Sequence, residues 1–343
     1  MDDLRTESRY IMVADVGGTY ARFHVAAAGH LLPEVLAPTI LRCEDYESFD
    51  DLLETAMRKV CMGVELDAVV IAAAGPRDGG TLHFTNRPWV VRDVDLRART
   101  GAYHCDVLND FGAVAHLVSG EMDHVSRAVG RGRCKERSTR VVLGPGTGLG
   151  VAAVTFGDRF VREGAGEYHV VSGEGGNVTF APGDDVEAAL AEALRIRSGR
   201  VFAEQLVSGD GLRVLHAWLH HSTLDLDGKP DASEIAIAAM RGDAGALESV
   251  HRMFGCLGTI AGDLALTFGA RGGVFLTGGV VERLARFLED SPFRARFEAK
   301  GRHQAYVEGI ATRLVTASHP GLRGAWRVAH GMLHLDPLPA LAT

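Results

Sequence analysis

Four stretches of the chain carry residue types whose spacing suits work on phosphate and on a polyol. The first is Asp15-Val-Gly17-Gly18-Thr19-Tyr-Ala-Arg22. Paired glycines let backbone N–H groups face an anion with no Cβ in the way, and Thr19 adds a hydroxyl donor. Asp15, at a strand end, is placed to hold a Mg²⁺ through water. A plain hairpin turn explains the glycines but not the flanking acid and threonine. The second is Gly144-Pro-Gly146-Thr147-Gly148-Leu-Gly150. It fails G-x-G-x-x-G, because Leu149 sits where the last glycine belongs. It also fails the P-loop pattern, because no Lys-Ser/Thr follows. What remains is an open hairpin turn whose amides can touch phosphate oxygens, weak evidence alone and stronger beside the first loop.

The third stretch is Leu108-Asn109-Asp110-Phe111. A carboxylate at a strand end, beside an amide, can orient a hydroxyl nucleophile and accept its proton. Phosphoryl transfer has a loose transition state, so positioning outweighs base strength and an ordinary carboxylate suffices. The blander role for Asp110 is N-cap of a helix over 111–118, and the two roles can coexist. The fourth is Gly173-Glu174-Gly175-Gly176-Asn177, with Glu204 further on in Ala-Glu-Gln before Val207-Ser-Gly-Asp-Gly211. Glu and Asn held by glycines offer acceptors and donors for sugar hydroxyls. Glu204 by itself reads as a solvated helix residue.

The elements that must hold these groups alternate between strand and helix. Ile11–Asp15 and Ala21–Ala26 read as strands around a glycine tip, a β-hairpin. Apolar residues at helical spacing predict a helix over 48–61. Ala68–Ala74 is a continuous apolar run, as expected of a strand buried on both faces. Arg140–Leu143 and Val151–Thr155 repeat the strand–glycine turn–strand unit, which points to a duplicated fold with one phosphate loop per lobe. A helix is predicted over 185–197, capped by Asp184 and ended by Ser198-Gly199. Further helices are predicted over 248–268, 281–288 and 322–335, with a strand at 274–277 before the Gly278-Gly279 turn. The segments 131–140 and 222–233 read as solvated loops.

Composition narrows the field. The 343 residues, 46% hydrophobic and 23% charged, describe an ordinary globular chain of about two domains. Glycine is the outlier, at 42 residues. The net charge of −8 weighs against nucleic acid or an acidic membrane as partner. No apolar run reaches the ~18 residues of a membrane span, and the charged N-terminus has no apolar signal core. The five cysteines are scattered and never in CxxC spacing, which disfavours zinc, redox pairs and disulfides and suits reduced cytoplasmic thiols. The histidines show no HExxH, and His220-His221 reads as a surface pair. Asp225-Leu-Asp-Gly lacks the remaining acids of a calcium loop. No G-x-S-x-G elbow is present.

Taken together, these residues resemble the bacterial glucokinases of the hexokinase/actin-like ATPase superfamily. The resemblance runs, in order, through Asp15–Arg22, Phe84-Thr-Asn86-Arg-Pro-Trp89, Leu108–Phe111, Gly144–Gly150 and Gly173–Pro182. It continues through Ala203-Glu204, Ser208–Leu212, Gly272–Gly279, Phe293–Gly301 and Pro320–Leu322, and so spans nearly the whole chain. The repressor/sugar-kinase branch fits less well, because its zinc-binding cysteine cluster is absent.

The resemblance implies an α/β fold of the two-lobed actin/hexokinase-like (ribonuclease H-like) type, with a duplicated core and a central cleft. It implies a small domain of residues 1–110 plus 322–343 and a large one of 111–321. It implies ATP, Mg²⁺ and transfer of the γ-phosphoryl to the 6-hydroxyl of glucose in the cytoplasm, by a homodimer. Asp110 matches the catalytic base, and Asn109, Asp110, Glu174, Asn177 and Glu204 match sugar ligands. Ala14, Asp15, Val16, Gly17, Gly18 and Thr19 match one phosphate turn, and Gly146, Thr147 and Gly148 the other. Gly278 and Gly279 match the turn beside adenosine. One position departs: the family usually has His where this chain has Asn177, which is shorter and cannot be cationic. A lost hydrogen bond to a sugar hydroxyl costs about 1–3 kcal/mol. That substitution keeps two alternatives open, a sugar-binding paralogue with little kinase activity and a kinase for another hexose.

Overall fold

The computed structural model describes residues 9–28, 37–120, 122–157 and 167–335. The charged N-terminal stretch before Arg9 lies outside them. The chain forms two compact units, one of residues 1–120 with 317–343 and one of 121–316.

The first unit opens with β1 (Tyr10–Val16), β2 (Tyr20–Ala27) and β3 (Thr39–Arg42), followed by α1 (Phe49–Val60) and β4 (Ala68–Ala73). Three short strands follow, β5 (Arg77–Asp78), β6 (Thr81–His83) and β7 (Val90–Arg92), then α2 (Asp93–Thr100), β8 (His104–Asn109) and α3 (Asp110–Val118). The second unit runs through β9 (Ser126–Val129), β10 (Arg140–Pro145), β11 (Leu149–Gly157), β12 (Glu167–Gly173), α4 (Asp185–Ser198), α5 (Gly209–His221), α6 (Ala232–Met240) and α7 (Ala244–Phe268). It ends with β13 (Gly273–Leu276), α8 (Gly279–Leu284), α9 (Phe293–Glu298), α10 (Gln304–Glu308) and β14 (Thr312–Val315). The last helix, α11 (Pro320–Leu335), returns to the first unit.

Duplication is visible in the strand order. The first sheet runs β3-β2-β1-β4-β8, and the second runs β12-β11-β10-β13-β14 with β9 added at the edge. In each, a hairpin and its third strand pair antiparallel, and two further strands add in parallel. Period-two alternation explains the double burial read from the sequence. Met12, Ala14, Val69 and Ile71 pack with α1 residues Leu52, Leu53 and Ala56 on one face. Ile11, Val13, Val70 and Ala72 pack with Leu322, Trp326 and Ala329 of α11 on the other. In the second unit one core gathers Val141, Leu143, Val151 and Ala153 with α7 residues Val250, Phe254, Leu257 and Ala261.

Local signals set the helix ends. Ser48, Asp184, Ser208, Asp231 and Asp243 each accept a backbone N–H at the start of a helix. The two compact units divide at residues 120 and 317. Ala113 of α3 packs into the same core as Leu322 and Ala325, which ties α3 and the start of α11 to the first unit. The helix expected over 281–288 stops at Leu284 and tightens into a 3₁₀ turn at 285–287. His220 is not a free surface residue: its ring is half-buried and bonds Gly245 O at 2.9 Å and Ser249 Oγ at 3.2 Å.

Candidate functional site

In the first unit, β1, β4 and β8 are parallel and their carboxyl ends align, Val16 opposite Ala73 and Ala73 opposite Asn109. The loop Gly17-Gly18-Thr19 and the pair Asn109-Asp110 therefore emerge at one edge of one sheet, the usual place for a ligand in such a sheet. Gly17 N–H closes the loop on Tyr20 O at 3.0 Å. Arg87 Nε donates to Gly18 O at 3.3 Å, and its guanidinium stacks 4.8 Å over Trp89. The Asn86-Arg-Pro-Trp89 motif thus braces the loop, a role its residue types did not disclose.

Asp15 pairs with Arg22 across the hairpin. Burial pushes its carboxyl above the usual range, and the Arg22 charge pulls the other way. Arg22 Nε is buried with no hydrogen-bond partner among the described residues. An acid short of solvent beside an orphaned guanidinium N–H suits an incoming phosphate and its dication, which would satisfy both. No group of three or more potential ligands that could hold a metal ion occurs among the described residues. A Mg²⁺ accompanying a phosphate here would take most of its ligands from phosphate oxygens and water, with the Asp15 carboxylate placed to add to them.

Asn109, not Asp110, is the N-cap of α3. Its Oδ1 accepts Gly112 N–H at 3.1 Å and its Nδ2 donates to Gly75 O at 3.1 Å, so the amide is clamped from both ends. Asp110 is the first helical residue, and its Oδ1 accepts the Phe111 N–H at 2.9 Å. The carboxylate sits in the first turn, where the helix dipole favours negative charge.

In the second unit the hairpin loop Gly146-Thr147-Gly148 is also three residues long, matching 17–19. Gly146 N–H bonds Gly148 O at 2.8 Å, and Gly146 O accepts the Gly209 N–H of α5 at 2.9 Å. The amino end of a 13-residue helix therefore abuts the loop, adding to a field that attracts phosphate. A Cβ at Gly146 would meet nothing within 4 Å, so its face is open to a ligand. Gly278, in a left-handed conformation at φ +97°, lets the turn before α8 approach Pro145 O.

Leu149 joins this loop to the expected sugar residues. Its N–H donates to Glu204 Oε2 at 2.7 Å. Its carbonyl lies so close to Gly176 that a Cβ there would be 2.1 Å away. A Cβ at Gly148 would stand 2.4 Å from Glu204 Oε2. The turns bearing Glu204 and Glu174–Asn177 are knitted by Ala203 N–H to Val178 O at 3.0 Å. Glu204 is half-buried and braced, not the solvated helix residue its local sequence suggested. Glu174 and Asn177 are exposed, and Arg200 Nη2 fixes the Asn177 carbonyl at 2.6 Å.

Elsewhere in the second unit α4, α7 and α9 share an ionic cluster with no signature in the sequence. Glu187, 0% exposed, receives Arg296 in a two-pronged contact at 3.0 and 2.8 Å, with Gly183 N–H at 2.8 Å and Arg252 at 3.4 Å. Asp184, which caps α4, also pairs with Arg252, and those contacts hold its carboxyl below the usual range despite partial burial. The Cys256 thiol lies 3.5 Å from Glu187, and burial pushes it well up.

A duplicated sheet with a glycine-tipped hairpin opening each copy, and an acid at the carboxyl edge of the first, defines the class: the two-lobed actin/hexokinase-like fold. Comparison with known proteins agrees. The chain is similar over 94% of its length to the crystal structure of a glucokinase from an Antarctic psychrotroph, covering 99% of that chain, with TM-score 0.79 and 28% identity. It is similar in fold to a ROK family glucokinase from Streptomyces griseus in complex with glucose and AMPPNP, with TM-score 0.62 and 20% identity over 94% of this chain and 99% of that one. The sequence model of the family described as Glucokinase matches residues 12–332. A curated glucokinase from Caulobacter vibrioides is 39% identical over 317 residues, 92% of this chain and 93% of that protein. The chain belongs to the glucokinase family.

Proposed function

We propose that the protein transfers the γ-phosphoryl of ATP to the 6-hydroxyl of glucose. The observation that carries this reading is the bracing of Leu149, whose N–H is held by a sugar-type carboxylate at the end of a phosphate-type loop. The glucose and AMPPNP bound by the ROK family glucokinase support the choice of substrates. Asp110, oriented by the clamped Asn109 and the start of α3, accepts the O6 proton as O6 attacks the γ-phosphorus. The bond from that phosphorus to the bridging oxygen breaks, and ADP leaves. Asn109, Glu174, Asn177 and Glu204 hold the sugar hydroxyls. Amides of Gly18–Thr19 and Thr147–Gly148, with the α5 amino end, stabilise charge on the phosphate oxygens. Gly278 and Gly279 border the adenosine. Mg²⁺, when bound, neutralises phosphate charge and fixes its geometry; Asp15 would hold it through water. Water competes with O6 as acceptor, so the sugar-binding groups must exclude it to protect ATP.

The same reading places the enzyme in the cytoplasm as a homodimer that supplies glucose 6-phosphate to glycolysis. No helix among the described residues is long and apolar enough to cross a membrane. Asn177 motivates a second reading, a kinase for another hexose, because it stands where the family usually has His and is shorter and never cationic. A coupled assay of ADP release over a panel of hexoses tests both. Glucose giving the highest kcat/KM supports the first reading, and another hexose in that place supports the second. No sugar-dependent ADP release would refute kinase activity and leave a sugar-binding protein.

A further inference from the structure

At the opposite end of β10 and β13 from the glycine loops, the second unit holds a cavity of about 350 Å³. Its wall carries Arg133 and Lys135, on the segment that leads into β10, and Arg271, just before β13. None of these three side chains makes a hydrogen bond or ion pair with a described residue. Asp123 lies in the same region, but Arg313 already holds it at 2.9 Å. On a chain of net charge −8, three uncompensated cations around one concavity are a local reversal of sign. Their backbones are fixed: Lys135 N–H bonds Arg271 O at 2.8 Å, and Arg133 N–H bonds Gly309 O at 3.1 Å. The cations are therefore presented from a knitted frame. Tyr306 adds a phenol at the rim, and Ala305 and Ile310 supply an apolar wall.

We propose that this cavity binds a small phosphate monoester, with its dianion held by Arg133, Lys135 and Arg271 and its organic part against Ala305 and Ile310. Guanidinium groups pair with phosphate oxygens by two parallel hydrogen bonds, and the ammonium adds a third cation. A volume near 350 Å³ is at the small end of ligand pockets and suits a compact metabolite rather than a polymer. The site is separate from the phosphate loops, which lie beyond the length of β10, about 17 Å at 3.3 Å per residue. It does not depend on which sugar, if any, the enzyme phosphorylates.

The test is calorimetric titration of the full chain with glycerol 3-phosphate and, separately, with inorganic phosphate, in the presence of saturating glucose and AMPPNP. The expected result is one saturable site, tighter for the ester, and weakened about tenfold or more by Arg271→Gln and by Lys135→Gln. Both variants should keep wild-type glucose phosphorylation and melting temperature. Absence of saturable binding, or variants that bind as tightly as wild type, would overturn the proposal. Equal affinity for ester and inorganic phosphate would overturn the assignment of an ester. Because binding is read directly, the outcome stands apart from whether the chain is a glucose kinase.

Discussion

The contact between Glu204 and Leu149 allows a sharp experiment on how the sugar and phosphate sides of one unit communicate. Glu204 Oε2 accepts the Leu149 N–H at 2.7 Å, a bond to a charged acceptor. Such bonds contribute about 1.5–3 kcal/mol, and a half-buried N–H left unpaired costs about 1–3 kcal/mol. Glu204→Ala removes the acceptor outright. Gly148→Ala leaves the carboxylate present but places a Cβ 2.4 Å from Oε2, so the acid must swing away from the N–H. If the brace holds the 146–148 loop in its phosphate-binding form, each variant should weaken AMPPNP binding without sugar by about 5–150-fold. The double variant should be little worse than either single one, because both remove the same interaction. Equilibrium titration of AMPPNP in the four proteins reads this directly. Wild-type nucleotide affinity in Gly148→Ala, or fully additive losses, would refute the brace.

Asn177→His restores the family's usual residue and should lower the glucose KM by about 5–150-fold if a sugar hydroxyl lacks a full partner in the wild type, measured by the coupled assay. Arg296→Ala strips the two-pronged partner from a wholly buried Glu187 and should cost about 3–5 kcal/mol of stability by denaturant titration, more than Arg195→Ala in an exposed pair. Burial, with the charges of Arg327 and Arg77, lowers the His116 ring from 6.5 to about 4. The unfolded chain then binds a proton below pH 6.5 that the folded chain refuses, so stability present above that pH falls as the pH drops towards 4. The full loss is about 3 kcal/mol, read as a fall in Tm that His116→Gln flattens.

Much of this architecture was legible because its signals are local. Two strand–glycine–strand repeats announced the duplicated sheet, and the continuous apolar run at 68–74 announced a strand buried on both faces. The α4 helix was readable from Asp184 at one end and Gly199 at the other. The α5 helix was not read at all, because Gly209 and Gly211 in its first turn lower helix propensity and only the Ser208 cap betrays its start. Strands of two or three residues, such as β5 to β7, are too short for periodicity to register. The candidate site divided along the same line. Residue types marked Asp15, Asp110 and the glycine loops, but not what steadies them. That Glu204 holds Leu149, that Arg87 holds Gly18, and that Arg296 neutralises Glu187 are contacts across 55, 69 and 109 positions, set by packing alone.

In the proposed reaction Asp110 accepts the proton of a sugar hydroxyl while other groups bind the sugar. Asp110→Asn keeps the shape and the position at the start of α3 but removes the basic oxygen. Turnover and glucose affinity measured together on that variant separate the two roles. Glucose binding should stay within a few-fold of wild type while kcat falls by at least ~10². Turnover close to wild type would contradict that role for Asp110.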